Sequence, residues 1–279
     1  MPTFTTSDGT TLAYHLLGQG EPLICLPGGP MRDSAYLGDL GGLGEHRQLD
    51  LLDLRGTGQS AVPEDATSYR CDRLVDDVEA LREHLGLDQL DLLAHSAGAN
   101  LAALYLTRHP DRVRKLALIT PSVFAVDLQV TGDHRLEVAR LREGEPWYPA
   151  AFAALERITQ GQATDDDWQA IDPFRWGRWD EAAQAHEAAN ATQRNNEAAA
   201  IFGSAGAYDP PTTRAALAAF TNPVLLLAGE VDLAAPPAVV DEYAALFPSA
   251  TRTTQPQAGH CPWLDDPQAF TKTTATFLA

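Results

Sequence analysis

The chain has only three cysteines, two lysines and no apolar run long enough to cross a bilayer, and each shortage narrows what it can be. Cys25, Cys71 and Cys261 are odd in number and widely spaced, and no Cys-x-x-Cys pair exists. Neither a disulfide framework nor a zinc or dithiol site is therefore expected, and a reducing cytoplasm is the expected compartment. The N-terminal residues lack a charged segment followed by an apolar one, so no export signal is expected. Basic charge is also scarce. Lys and Arg total 20 against 38 Asp and Glu, a formal net charge of -18. That balance lacks the concentrated basic surface that a nucleic-acid or anionic-membrane partner requires, and it leaves a small molecule as the expected partner.

What is present is a long chain with many short apolar runs. Its 279 residues, 44% of them hydrophobic, can build one large core or a core with an insertion. Thr3 to Thr6 and Leu12 to Leu17 flank a turn at Ser7-Asp8-Gly9-Thr10 and read as a hairpin. The runs Leu23 to Leu26, Leu49 to Leu54, Leu90 to Ala94, Val113 to Ile119, Val224 to Ala228 and Thr251 to Thr254 follow. Several are continuously apolar, as strands covered on both faces must be. Helical patterns lie between them, the clearest at Arg73 to Leu85, with others at Leu101 to His109, Ala238 to Phe247 and Phe270 to Leu278. Alternation of this kind predicts an α/β fold: a mostly parallel sheet flanked by helices, joined by right-handed crossovers.

The rhythm breaks once. Residues 122–208 contain helical and loop patterns but no buried strand, which divides the chain into a core of 1–121 with 209–279 and a helical insertion of 122–208. The insertion carries Trp147, Trp168, Trp176 and Trp179, together with Phe124, Tyr148, Phe152, Phe174 and Phe202. A small helical subdomain needs such residues for its own core, and some of the set are expected to face a site beneath it. Asp165-Asp166-Asp167 after Thr164 reads as the first turn of a capped helix, not as a metal site.

Leu92-Leu93-Ala94-His95-Ser96-Ala97-Gly98-Ala99 is the most informative stretch. An apolar strand run ends in a serine with very small residues at both second neighbours, and a strong helix former follows. A serine on so sharp a strand-to-helix turn needs strained backbone angles, and bulk two positions away would collide where strand and helix meet. The simpler alternative is a serine that caps the helix. As a nucleophile Ser96 needs a base, and the base needs an orienting carboxylate. His95 adjoins the serine but points elsewhere from the turn. His260, after the last strand run in Gln257-Ala258-Gly259-His260-Cys261-Pro262-Trp263, lies at the C-terminal sheet edge, where such folds place their sites. The acid is expected after the preceding strand, in Gly229-Glu230-Val231-Asp232, with Asp232 first and Glu230 second. Donors to a tetrahedral oxyanion are expected from the amides of Ala97 and of Gly29, in Pro27-Gly28-Gly29-Pro30-Met31. A plain tight turn at the two glycines is the alternative. No metal or cofactor is called for.

With these motifs assembled, the chain resembles the α/β-hydrolase superfamily from end to end, and within it the branch of prolyl iminopeptidases and their relatives. Gly28-Gly29-Pro30, the stretch Asp53-Leu54-Arg55-Gly56-Thr57-Gly58-Gln59-Ser60 and the elbow at Ser96 carry the resemblance. The resemblance implies a serine hydrolase working through an acyl-enzyme, with Asp53 and Arg55 shaping a loop below the site. The chain departs from the branch in two places. Pro27-Gly28-Gly29-Pro30-Met31 replaces His-Gly-Gly-Pro-Gly, and Ala94-His95-Ser96-Ala97-Gly98 replaces Gly-Gly-Ser-Trp-Gly. The expected activity is therefore carboxylesterase-like, on a small and largely apolar acyl group, with release of an N-terminal proline as the alternative. A non-catalytic receptor or an acyltransferase on the same fold is the further alternative. Trp176-Gly177-Arg178-Trp179-Asp180-Glu181 is similar to the cap element that supplies an amine-binding glutamate in iminopeptidases, so Glu181, or Asp180 in its place, is the amine-binding candidate, and Trp176, Trp179, Gly28 and Trp263 are further substrate-contact candidates. The competing reading puts Asp180 and Glu181 in the first turn of a helix running to about Ile201.

Overall fold

In the computed structural model, which describes residues 1–279, the short apolar runs become a single eight-stranded sheet. Its strands are β1 (Thr3–Thr5), β2 (Thr11–Leu17), β3 (Pro22–Leu26), β4 (Gln48–Leu52), β5 (Leu90–His95), β6 (Val113–Ile119), β7 (Val224–Gly229) and β8 (Ala250–Gln255). Their spatial order is β1-β2-β4-β3-β5-β6-β7-β8. β1 and β2 pair antiparallel, as does β2 with β4, and every pairing from β4 to β8 is parallel. The chain thus has the α/β architecture expected from its alternating pattern.

Side chains alternate across the pleat, and the core divides accordingly. Ile24, Leu26, Leu92, Ala94, Leu116, Leu118, Leu226 and Ala228 pack into one layer, while Leu23, Cys25, Leu93, Ala117, Ile119, Leu225 and Leu227 pack into the other. Both faces are dry along the middle of the sheet, which is why β3, β7 and the later part of β6 are continuously apolar. The first layer is closed by α1 (Val75–His84), α2 (Gly98–Arg108), α8 (Pro210–Ala219) and α9 (Pro237–Ala244), and the second by α11 (Pro267–Leu278) after the short α10 (Pro262–Asp265).

Between β6 and α8 the chain runs through α3 (Gly132–Arg140), α4 (Tyr148–Thr159), α5 (Asp165–Ala170), α6 (Glu181–Gln193) and α7 (Asn196–Phe202). Phe174 is the centre of a local cluster with Val138, Ala151 and Leu155, edged by Trp147 and Phe152. Thr164 caps α5, and Asp167 pairs with Arg157, so the acidic triplet is a helix start. One expectation needs correction. The helix drawn from Asp180 to about Ile201 is two helices, broken where Arg194 turns extended and Asn195 caps α7 by accepting from the Ala198 amide. The break is held by backbone pairing with another loop: Asp33 N–H donates to Gln193 O at 2.9 Å and Asn195 N–H to Met31 O at 3.0 Å.

Candidate active site

Strand β5 delivers Ser96 into a tight turn at φ 51°, a left-handed conformation that a residue with a Cβ adopts only under constraint. The turn is pinned on both sides: Ser96 N–H donates to Ile119 O at 3.1 Å, and Ser96 O accepts from Ser122 N–H at 3.0 Å. The small neighbours have a steric cause. A Cβ on Gly98 would stand 2.7 Å from the carbonyl oxygens of both Leu26 and Pro27, and a Cβ on Gly28 would stand 2.7 Å from the Cβ of Ser96. Strand β3 and the elbow are therefore as close as their backbones allow.

The structure brings together three of the residues expected from sequence. Ser96 Oγ lies 2.9 Å from His260 Nε2, and His260 Nδ1 lies 2.8 Å from Asp232 Oδ2. Asp232 is fully buried, and its other oxygen accepts from Ala234 N–H at 2.8 Å. Glu230, the second choice of acid, instead accepts from the Gln257 amide. Because Asp232 Oδ2 only accepts, Nδ1 carries a hydrogen, which leaves Nε2 free to take the proton of Ser96 Oγ. The amides of Gly29 and Ala97 donate to no group of the protein and border the same cavity as Ser96, so both are available to an oxyanion.

Two compartments meet at Ser96 and His260. The larger, about 550 Å³, is bordered by Phe124, Phe202 and Tyr208 and by the polar Asn100, Ser122 and Arg135. The smaller, about 250 Å³, is bordered by Arg32, Tyr36, His95, Trp176, Glu187 and Asn190.

Of the expected substrate-contact residues, Trp176 borders the smaller compartment and four others do not border either one. Glu181 lies exposed in the first turn of α6, beyond the cap formed by Asp180, whose carboxylate accepts from Ala183 N–H at 3.0 Å. The acid that reaches the site is Glu187, six positions later and therefore about a third of a turn around the helix. Trp179 is half-buried against the second core layer. Trp263 is a core residue, 1% exposed, packed edge-on to His95 and against Phe270, because Pro262 starts α10 into the layer beneath the sheet. Gly28 spends its amide on Tyr36 Oη at 2.7 Å, and so places the loop without offering a donor to a ligand.

His95 is the largest surprise. It was expected to point elsewhere from the turn, and its ring comes to lie beside that of the base, centroids 4.9 Å apart. Its Nε2 lies 2.8 Å from the carbonyl oxygen of His260, which also accepts from Thr120 Oγ1, and its Nδ1 lies 2.5 Å from Tyr36 Oη. Burial, and next the neighbouring His260, push its pKa well below the ordinary histidine value. Asp53 steadies the segment that carries Tyr36 by accepting from Ser34 Oγ at 2.6 Å, and Arg55 pairs with Asp77 and Asp8. Arg32, Tyr36 and Glu187 were not singled out in the sequence. Ala183, His186, Glu187, Asn190 and Gln193 form the inward face of α6, a face that the burial of Ala183 defines and the sequence pattern does not.

The model of the α/β-hydrolase fold family matches residues 21–267, and the chain belongs to that family. It is a hydrolase of small substrates. A proline iminopeptidase of Heyndrickxia coagulans is 26% identical over 94% of this chain and 91% of that protein. Among solved structures, a proline iminopeptidase of Mycobacterium smegmatis superposes with a TM-score of 0.75 at 24% identity, covering 99% of this chain and 97% of that one. An esterase of Exiguobacterium antarcticum gives 0.74 at 19% identity, covering 99% and 98%. No helix is long and apolar enough to cross a membrane.

Proposed function

We propose that the protein is a carboxylesterase-like serine hydrolase in which Ser96 is the nucleophile, His260 the base and Asp232 its orienting acid. The hydrogen-bonded chain from Ser96 Oγ through the His260 ring to Asp232 carries the reading. Ser96 Oγ attacks the ester carbonyl carbon as its proton passes to His260 Nε2. The carbonyl oxygen gains the negative charge and accepts hydrogen bonds from the Gly29 and Ala97 amides, at the positive end of α2. His260 then gives the proton to the leaving alkoxide. Water gives a proton to His260 and attacks the acyl-enzyme carbonyl, and the intermediate then expels Ser96 Oγ, which takes that proton back from His260 as the acid is released. Residues 122–208 act as a lid over the elbow, and Phe124 and Phe202 in the larger compartment suit an apolar acyl group. Three buried, unpaired thiols fit a cytoplasmic setting.

The second reading, release of an N-terminal residue, needs a carboxylate to hold the substrate ammonium. Glu187 meets that need by position but is paired with Arg175 at 3.2 Å, which favours the ester reading. The test is intact mass after treatment with a fluorophosphonate probe, followed by a panel of 4-nitrophenyl esters and amino-acid 4-nitroanilides. One adduct, absent in Ser96→Ala, with turnover on esters is expected. An adduct that persists in Ser96→Ala ends the assignment, and efficient cleavage of proline 4-nitroanilide that is lost in Glu187→Gln reverses the substrate order.

A further inference from the structure

Arg32 is 8% exposed, yet every group bonded to its guanidinium is neutral. Nε donates to Gln193 Oε1 at 2.9 Å, and Nη2 donates to the same oxygen at 2.7 Å and to His186 O at 3.0 Å. Nη1 makes no hydrogen bond within the protein. The guanidinium is held over the Tyr36 ring at 4.5 Å and borders the smaller compartment, which opens on Ser96 and His260. A buried cation without a counter-ion is unfavourable, and burial lowers its pKa accordingly. The other charges on that wall do not resolve the imbalance. Glu187 is matched by Arg175 at 3.2 Å, so the compartment keeps one positive charge in excess. Asn190 borders the same space, and its side-chain amide bonds to no protein group. A free guanidinium Nη1, a free side-chain amide and a net positive wall together suit a planar two-oxygen anion, one oxygen to each donor.

We propose that the smaller compartment is a carboxylate subsite: the substrate is an ester that also carries a free carboxylate, held by Arg32 with Asn190 while the ester carbonyl sits at Ser96. The proposal rests on Ser96 as nucleophile and adds the substrate class. It differs in sign from an ammonium site, since the charge left over in this compartment is positive.

Two matched substrate pairs test it, one for each side of the scissile bond. Mono-4-nitrophenyl glutarate is compared with its methyl ester for a carboxylate on the acyl part, and 4-acetoxybenzoate with methyl 4-acetoxybenzoate for one on the alcohol part. Rates are corrected for spontaneous hydrolysis. In one pair the native enzyme is expected to favour the anion by roughly tenfold or more in kcat/KM, the scale of a charged hydrogen bond. That ratio is expected to fall by roughly the same factor in Arg32→Gln and to be partly kept in Arg32→Lys. Ratios near one in both pairs for the native enzyme, or a ratio unchanged in Arg32→Gln, overturn the proposal. Calorimetric titration of glutarate into Ser96→Ala gives a readout independent of turnover: binding weakened by Arg32→Gln supports the subsite, and no binding opposes it. Failure of all four esters to turn over strikes the nucleophile assignment, and the titration then decides the subsite alone.

Discussion

Replacing Tyr36 by Phe removes one oxygen from beneath the oxyanion loop and little else. The ring is 6% exposed and packs against His95, His186 and Trp263, contacts that phenylalanine retains. The direction of the lost bonds follows from the chemistry of their ends. The carbonyl oxygen of His260 can only accept, so His95 Nε2 carries the hydrogen. Burial keeps that ring neutral, which leaves Nδ1 bare. Tyr36, whose own pKa is raised by burial, therefore donates to His95 Nδ1 and accepts from Gly28 N–H. In Tyr36→Phe both of those groups lose their partner inside the protein.

A buried polar group without a partner costs about 1–3 kcal/mol, so the pair amounts to about 2–4 kcal/mol after partial relaxation. For a domain of this size each kcal/mol moves Tm by roughly 2–4 °C, so a fall of roughly 5–15 °C is expected by differential scanning calorimetry. Turnover responds through Gly29, the neighbour of Gly28. Losing an oxyanion donor outright costs about 10²–10³ in kcat, so on the proposed role of the Gly29 amide, loosening its loop is expected to lower kcat by roughly tenfold with KM nearly unchanged. Steady-state kinetics on 4-nitrophenyl butyrate measure this. A variant with native Tm and native kcat refutes the reasoning, because it would mean that neither the Gly28 amide nor the His95 ring depends on the hydroxyl.

Two further outcomes follow from the same geometry. Gly98→Ala is expected to destabilise by about 1–3 kcal/mol in denaturant unfolding, because its Cβ must push apart the strand and the elbow at Leu26 and Pro27; a neutral or stabilised variant contradicts the steric account. His95 has its pKa depressed on folding, so the unfolded chain binds the extra proton and stability is lost as pH drops below about 6.5, by up to about 1.4 kcal/mol per unit. His186 acts with the same sign, while Asp50, raised by burial to about 6, opposes both below that pH. The difference between native protein and His95→Gln over this range isolates His95, and parallel stability curves would refute its contribution.

The sheet was legible because burial on both faces leaves runs such as 92–94 and Val224–Gly229 no polar alternative, and because each loop at the sheet's C-terminal edge inherits its place from the strand before it. That logic brings Ser96, Asp232 and His260 to one edge. It carries no information about what meets them from below or above. His95 adjoins the serine at the turn, and adjacency in sequence marks it only as pointing elsewhere. Its meeting with the His260 carbonyl depends on how the loop from Gln257 to Cys261 folds back, and no local pattern encodes that return. Trp263 was misplaced for a related reason: an aromatic next to a site residue looks like a wall, whereas the proline before it turns it into the core. Glu181 and Glu187 lie on the same helix and differ only in facing, and a helix whose polar and apolar residues are so evenly mixed does not declare which face is inward.

The break between α6 and α7 also ties the helical segment between β6 and α8 to the loop that carries Gly29. Pro30 O accepts from Arg194 Nε, Met31 O accepts from Asn195 N–H, and Gln193 both accepts from Arg32 and receives the Asp33 amide through its carbonyl. Every one of these bonds joins the loop that begins at Gly28 and Gly29 to residues 193–195. On the opposite side, His260 N–H donates to Arg175 O at 2.7 Å, and Asp265 accepts from the amides of Gly177 and Gly259. Helix α6 is therefore fastened before its start to the loop that carries His260 and after its end to the loop that carries Gly29. A rigid outward swing would have to break backbone bonds at both. Phe124 and Gly203, which border the larger compartment, lie outside both fastenings, so on the proposed mechanism that side, and not α6, is where substrate entry is expected.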